Sequence, residues 1–377
     1  MRVVEIFGEP INKGGQQSFV LYTLRNMDLT NMEVDLFSPY YADNKDLINL
    51  VEDNHGTVFA GGLTHEPGKS RRNTIPVLRS FLNSHHYDVA HIHSGSITAL
   101  AYSAREAARA GIKKIIVHSH SPGVSENLKH RLVRMYAAPI MKKYVTDYCA
   151  CSKDAAKWKF PQSVIPQVKI IRNGVDTAHF AFDPQIRRQM RERYSIDDDT
   201  LVLGHVGRFS TEKNQAFLLD VLKYYLDCKP KEKIKLFLLG EGEEKEKVLQ
   251  KAKTLGLTDL IICPDEYDKV REYLQLYDVF VFPSLYEGLP LVALEAQTSG
   301  LPIVASTGVP EIINITGRVR FASLNDPDAW CKAIDELRIL QRKDSGAVIR
   351  KAGFDIRYTA KEVEKLYINQ RETEYRR

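Results

Sequence analysis

The sequence predicts an α/β protein of two doubly wound, Rossmann-like domains whose parallel sheets face a common cleft. Two observations lead there. Short β-branched runs alternate with longer amphipathic stretches, which is the rhythm of βαβ units. The hydrophobic strand runs do not alternate with polar residues, so both faces of each sheet are covered. The rhythm stops and restarts once, and 377 residues suit two domains at roughly 100–200 residues each.

The first half opens with a strand at Arg2–Phe7, a Gly14-Gly15 turn and a helix from about Gln16. Strands follow at Val34–Phe37, Val89–His93, Lys114–His118 and Tyr148–Cys151, with a helix over Ser94–Ala110. Two prolines in Phe160–Pro166 mark the expected hinge. The second half repeats the pattern, with strands at Leu201–Val206, Ile234–Leu239, Leu260–Cys263, Val279–Phe282 and Ile303–Ser306. Its helices are expected near Asn214–Asp227, Glu243–Leu255, Val270–Tyr277 and Leu291–Ser299. The domains are thus residues 1–163 and 166–358, with a charged last helix over about 359–377 that is expected to dock away from the second domain. In such folds ligands bind at the carboxyl ends of the strands, which places the active site in the cleft.

Composition narrows the class. No apolar run approaches the about 18 residues that span a bilayer. The start runs straight into a strand with no signal-peptide pattern. Five scattered cysteines, without metal-ligand spacing, fit a reducing cytoplasm, and Cys149-x-Cys151 reads as a buried strand. A net charge of +5 permits anionic partners without demanding nucleic acid, and no zinc-finger spacing or arginine-rich arm is present.

Four segments carry candidate chemistry. In the segment from Phe282 to Ala296 a strand ends at Phe282 and a helix begins near Pro290, a residue suited to the first helical turn. The N–H groups of Leu291 and Val292 then leave the helix start unpaired, a ready site for a pyrophosphate. Glu287 precedes this helix and Glu295 lies within it, among residues apolar nearly all round. A carboxylate buried there needs partners: hydroxyls of a sugar or ribose, or a buried Arg or Lys. In the second segment, Gly204 to Asn214, Arg208 and Lys213 occupy one strand-to-helix loop, as a fork and a point charge on one anion or as solvated surface charges. In the third, Gly14-Gly15 lets backbone approach a ligand or makes an ordinary turn, and the G-x-G-x-x-G fingerprint is missing. In the fourth, His118-Ser-His120 ends a strand where imidazole reaches a sugar hydroxyl or serves structure. The similar His91-Ile-His93 is the weaker candidate, and Asp197-Asp198-Asp199 reads as a polar turn and not a metal site.

Arg208 with Lys213, and Glu287-x7-Glu295, together resemble the signature of the retaining glycosyltransferases of family 4, which have the glycosyltransferase-B fold. Asn173-Gly-Val-Asp176, Gly207-Arg-Phe209, Ala150-Cys-Ser-Lys153 and Asp278-Val-Phe-Val-Phe-Pro-Ser284 extend the likeness in order and spacing across nearly the whole chain. Capsular and exopolysaccharide transferases, of hexosyltransferase type, are the most similar branch. The resemblance implies that Arg208 and Lys213 hold the donor diphosphate, Glu287 the hydroxyls of the transferred sugar and Glu295 the ribose. It puts backbone N–H groups of Leu289, Leu291 and Val292 at sugar or phosphate, Gly15 at the phosphates or acceptor, and His118 beside the reacting centre. It also brings the final helix back onto the first domain. Two departures stand out: Thr307-Gly308-Val309-Pro310-Glu311 replaces the usual Gly-Gly-Val-Pro-Glu, and Tyr267 stands where relatives carry an arginine near the nucleobase.

The function so implied is transfer of a sugar from a nucleotide diphosphate sugar, with UDP as donor nucleotide, to a glycan or lipid-linked acceptor, with retention. No cofactor and no metal are expected, because fixed cations and helix N–H groups can stabilise the leaving diphosphate and the cleft segments contain no Asp-x-Asp. A nucleotide-sugar 2-epimerase, a phosphorylase or an idle assembly subunit are the rivals on the same fold. The stretch Lys129–Tyr144 mixes basic and apolar residues at near-helical spacing, fit for the inner face of an anionic membrane, with a break expected at Pro139.

Overall fold

A computed structural model describes residues 1–12, 14–66, 71–120, 128–267 and 269–368, with the Lys129 side chain outside the description. The chain divides into two compact units, Met1–Gly174 joined by the chain from Ile356, and Val175–Asp355.

In the first unit β1 (Arg2–Phe7), β2 (Glu33–Ser38), β3 (Val58–Ala60), β4 (Val89–His93), β5 (Lys114–Ser119), β6 (Asp147–Ala150) and β7 (Lys169–Ile170) form one sheet, ordered β3-β2-β1-β4-β5-β6-β7. All of its pairings are parallel. The helices are α1 (Gly15–Arg25), α2 (Lys45–Asp53), α3 (Thr74–Ser84), α4 (Ile97–Arg109), α5 (Leu128–Tyr144) and α6 (Lys153–Lys159). Side chains alternate along each strand, so Ile6, Ile92 and Val117 pack with Leu100 and Ala104 of α4, while Val3, Phe7 and Ile116 pack with Phe19 and Val20 of α1. That is why these strands are apolar on both faces. Ser96 caps α4 by accepting from the Ala99 N–H.

In the second unit β8 (Leu201–Val206), β9 (Ile234–Leu239), β10 (Ile261–Ile262), β11 (Val279–Phe282), β12 (Ile303–Ser306) and β13 (Val319–Ala322) are ordered β10-β9-β8-β11-β12-β13, again parallel. Around them lie α7 (Pro184–Arg193), α8 (Gln215–Cys228), α9 (Lys245–Thr254), α10 (Val270–Leu276), α11 (Leu291–Thr298), α12 (Pro327–Arg338) and α13 (Gly346–Lys351). The last helix, α14 (Ile356–Ile368), belongs to the first unit, where Ala360, Val363, Leu366 and Tyr367 join the cluster around Phe19. The part of the expected last helix beyond Ile368 lies outside the described residues.

Three sequence expectations need correction. The units divide at Gly174, not at Phe160–Pro166, because Gln162–Gln167 is a 3-10 turn leading into β7 of the first sheet. The strands β3, β7 and β13 were not foreseen. The first two are two- or three-residue edge strands without a buried residue, so they carry no apolar run. Pro139 does not break α5, which runs unbroken through it. A proline inside a helix costs about 3 kcal/mol, and burial of Ala137 and Met141 on either side offsets it.

Gly204, in the middle of β8, shows how closely the second core is packed. A Cβ there would lie 2.0 Å from the Tyr277 ring. Gly204→Ala should therefore destabilise the second unit by about 1–3 kcal/mol in urea unfolding. Gly15→Ala, where a Cβ would meet nothing within 4 Å, should shift stability far less, and equal effects would refute this reading of β8.

Candidate functional site

In each sheet the connections leave the first strand in opposite directions, so β1 and β4, and β8 and β11, flank a point where strand order reverses. Loops diverge there and leave a crevice at the carboxyl ends. In the second unit the two loops are 207–214 and 283–290. They are stitched together by the Leu285 N–H donating to the Glu212 carbonyl at 2.8 Å. Gln215 Nε2 holds the Arg208 carbonyl at 2.8 Å, and Asn214 takes a left-handed φ of 54° to start α8. Gly308 fits beneath, because a Cβ there would lie 2.1 Å from the Leu285 carbonyl oxygen.

Across this crevice Lys213 Nζ donates to Glu287 Oε1 at 2.5 Å, and Ser284 Oγ donates to the same oxygen at 2.7 Å. The strand ends thus hold a cation and a carboxylate in contact. Pro290 is the residue before α11, with no side-chain cap, so the helix start offers its N–H groups at the same strand end. Leu289 is buried and Leu291 and Val292 are half-buried against the core, which fixes that start in place. Glu295 is 6% exposed on α11.

Of the expected charged residues, the structure joins Lys213 to Glu287. Arg208, from the same loop as Lys213, is 62% exposed and lies 3.9 Å from Glu243. Tyr267, in the loop after β10, donates to Glu241 and accepts from Lys245 at 3.5 Å, with Asp265 Oδ1 3.1 Å away. Burial and the acidic partners push its hydroxyl up to about 12. Its neighbour Asp268 lies outside the described residues. Asp197 and Asp199 pair with Lys233 in the turn before β8, at the opposite end of the strand from the loops.

The first unit has its own reversal point. Glu9, after β1, accepts from Ser94 Oγ at 2.9 Å and the Gly95 N–H at 3.1 Å, after β4. Gly15 opens α1 with free space before its Cα. His118 lies inside the sheet with 0% exposure, which does not suit direct contact with a sugar; His120, at the strand end, is half-buried. The rejected pair His91 and His93 belongs to the same constellation. His93 Nε2 lies 2.6 Å from Glu5 Oε2, and His91 Nδ1 lies 2.7 Å from the Tyr367 hydroxyl. Glu5, Glu9 and Tyr367 were missed by sequence reasoning. The available signal was two His-x-His pairs on strands that pair, with a carboxylate at the facing position of the first strand. Burial alone would raise the Glu5 carboxyl, but His91 and His93 beside it hold it below the usual carboxylate range.

Two doubly wound parallel units with a charged crevice at the strand-order reversal are a scaffold that binds ligands at its strand ends, and the comparisons give the class. A family model described as Glycosyltransferase Family 4 matches residues 13–179, and one described as Glycosyl transferases group 1 matches residues 200–338. EpsF of Bacillus subtilis, named as a glycosyltransferase, is 29% identical over 86% of this chain and 84% of its own. The UDP-Gal:alpha-D-GlcNAc-diphosphoundecaprenol alpha-1,3-galactosyltransferase of Escherichia coli is 26% identical over 78% of each chain. In fold, the crystal structure of Anabaena HepE in complex with UDP matches at TM-score 0.72, with 17% identity over 97% of this chain and 99% of that one. Residues 13–179 and 200–338 thus carry two glycosyltransferase domains, the fold is the glycosyltransferase-B fold, and the chain is a glycosyltransferase enzyme.

The buried histidines make stability depend on pH. Burial, then the neighbouring His91, holds His93 at about 4, and burial with neighbouring rings pushes His118 and His120 well below the ordinary value. The unfolded chain takes these protons near pH 6.5, so in this window it binds more protons than the folded state. Stability should therefore fall as pH drops from about 6.5 toward 4, by at most about 1.4 kcal/mol per pH unit for each histidine. Urea unfolding at about pH 7 and about pH 5 checks this, and equal midpoints would contradict it.

Proposed function

We propose that the chain moves a sugar, with retention, from a UDP-sugar to a lipid-linked glycan acceptor in capsular or exopolysaccharide assembly. The observation that carries this is the Lys213–Glu287 pair at the strand-order reversal, beside the uncapped start of α11. Two relatives support the donor and acceptor classes: the galactosyltransferase whose name states a UDP-sugar donor and a diphosphoundecaprenol acceptor, and HepE in complex with UDP.

In this reading Arg208 and Lys213 hold the diphosphate, with the N–H groups at Leu289, Leu291 and Val292 completing the anion site. Glu287 takes hydroxyls of the transferred sugar, Glu295 those of the ribose, and Tyr267 lies toward the nucleobase. Gly15 gives the donor phosphates or the acceptor close access to backbone, and His118 acts through His120. The bond from the anomeric carbon to the leaving phosphate oxygen breaks as the acceptor oxygen bonds on the same face. The acceptor's proton passes to the leaving diphosphate. Negative charge grows on that diphosphate, so its contacts strengthen in the transition state. Removing one such donor typically costs about 10²–10³ in kcat. Arg208→Ala and Lys213→Ala should each lower kcat by that order, with a smaller change in donor KM, and transfer should persist in excess chelator. Near-normal turnover in either folded variant would refute the shared leaving-group role. Glu295→Gln should weaken UDP binding in calorimetry, and unchanged affinity would remove the ribose assignment.

The lipid-linked acceptor fits the surface of α5. Leu128, Leu132, Met135 and Tyr136 recur at helical spacing and are exposed, Leu128 at 70% and Met135 at 67%. Arg131, Lys142 and Lys143 are exposed on the same helix; the Lys129 side chain lies outside the described residues. No helix among the described residues is long and apolar enough to cross a membrane. An apolar stripe with basic flanks suits a helix lying on an anionic bilayer. The protein should sediment with anionic liposomes at low salt, and Leu132→Glu with Met135→Glu should abolish this. Failure of the parent protein to sediment at low salt would remove the idea.

A further inference from the structure

Side-chain nitrogens and oxygens around Glu5 form two hydrogen-bonded chains. An ionised carboxylate only accepts, so the Tyr367 hydroxyl donates to Glu5 Oε1 at 2.5 Å. With that proton committed, His91 Nδ1–H donates to the Tyr367 oxygen at 2.7 Å. A neutral ring protonated at Nδ1 is bare at Nε2, and His118 Nδ1–H donates to it at 3.2 Å. His118 Nε2 is left bare and, among the described residues, has no partner. In the second chain His93 Nε2–H donates to Glu5 Oε2 at 2.6 Å, and its bare Nδ1 accepts from His120 Nε2–H at 2.7 Å. His120 Nδ1 is again bare, buried and without a partner among the described residues. The two terminal rings stack at 4.4 Å with planes 14° apart, and Phe19 of α1 meets both with ring centroids 4.8 and 5.0 Å away.

We propose that Glu5 and Tyr367 are positioning residues. Through His91 and His93 they fix the tautomers of His118 and His120, so that His120, at the strand end, presents an acceptor nitrogen to a hydroxyl donor of the sugar or the acceptor, with the His118 ring stacked against it. This rests on the transferase reading for the identity of the hydroxyl, but the tautomers stand on the hydrogen bonds alone. A phosphate oxygen, itself an acceptor, finds no proton there, so His120 discriminates hydroxyl from anion. The ligand atoms of His91, His93 and His118 lie within 4.8 Å of one another, as a metal site would require. However, the inward nitrogens are already paired, and the rings of His118 with His91 and with His93 are 21° and 29° from parallel, so their in-plane lone pairs do not converge.

The test is long-range proton–nitrogen correlation on the histidine-labelled full chain. The parent protein should show His118 protonated at Nδ1 and His120 at Nε2, each with one unprotonated nitrogen. Tyr367→Phe should shift the His91 and His118 ring signals and spare His120. Glu5→Gln should shift both chains and lower kcat/KM on the order of 10–100-fold, as loss of an orienting partner does elsewhere. The opposite tautomers, or doubly protonated His118 or His120, in the parent protein overturns the proposal without any variant. So does a cobalt(II) absorption band in the visible that appears with loss of these signals. Absence of sugar transfer with the tautomers as stated would instead refute the transferase reading and leave the relays standing.

Discussion

Both sheets of this enzyme are covered on both faces, and this constraint orders everything else. A strand buried on each side can carry almost no polar group along its length, so chemistry is confined to strand ends. Reversal of strand order at β1 and at β8 decides which ends, because only there do neighbouring loops separate. Both charged constellations follow from it: Glu9 bridges to Ser94 and Gly95 in the first unit, and Lys213 meets Glu287 in the second.

The Glu5 cluster departs from this, and it shows what such a departure requires. A carboxylate buried inside a sheet is costly unless its lone pairs are filled. Here the filling comes from a strand, β4, and a helix, α14, far apart in sequence, with Tyr367 separated from Glu5 by 362 positions. Return of α14 to the first unit is therefore more than hydrophobic closure. It delivers a hydroxyl that the β1 carboxylate needs, and hydrogen bonds to a charged group are among the stronger ones, about 1.5–3 kcal/mol each.

Much of the fold was legible because apolar runs such as Val202–Leu203 and Val279–Phe282 leave little choice but a covered parallel strand. The edge strands were not, since Lys169–Ile170 has no burial to pattern it. Pro139 misled because local propensity ignores packing of Ala137 and Met141. At the site, residue types and loop positions flagged Lys213, Glu287 and Glu295 without showing that the first two touch, since 74 positions separate that pair. His118 was placed at a strand end by a one-residue difference: β5 continues through Ser119, which puts His118 inside the sheet and His120 at its edge. His91 and His93 looked dispensable because their partners lie on β1, β5 and α14, which no local reading connects.

The contact of Lys213 with Glu287 raises a question of sign, because a carboxylate beside the cation weakens its field at any incoming diphosphate. The geometry resolves it. Both hydrogen bonds to Glu287 fall on Oε1, one from the ammonium and one from Ser284, so the carboxylate is held by two partners. An ammonium carries three donors and spends one here, which leaves two for phosphate oxygens. With Glu287 only 10% and Lys213 23% exposed at the side chain, removing either partner would strand a largely desolvated charge, a cost that exceeds loss of a surface pair. The pair thus holds the lysine in place at the strand ends. On the proposed reading, a donor that needs charge stabilisation at its leaving group would meet a cation already oriented, with no side chain to reorganise as that charge develops.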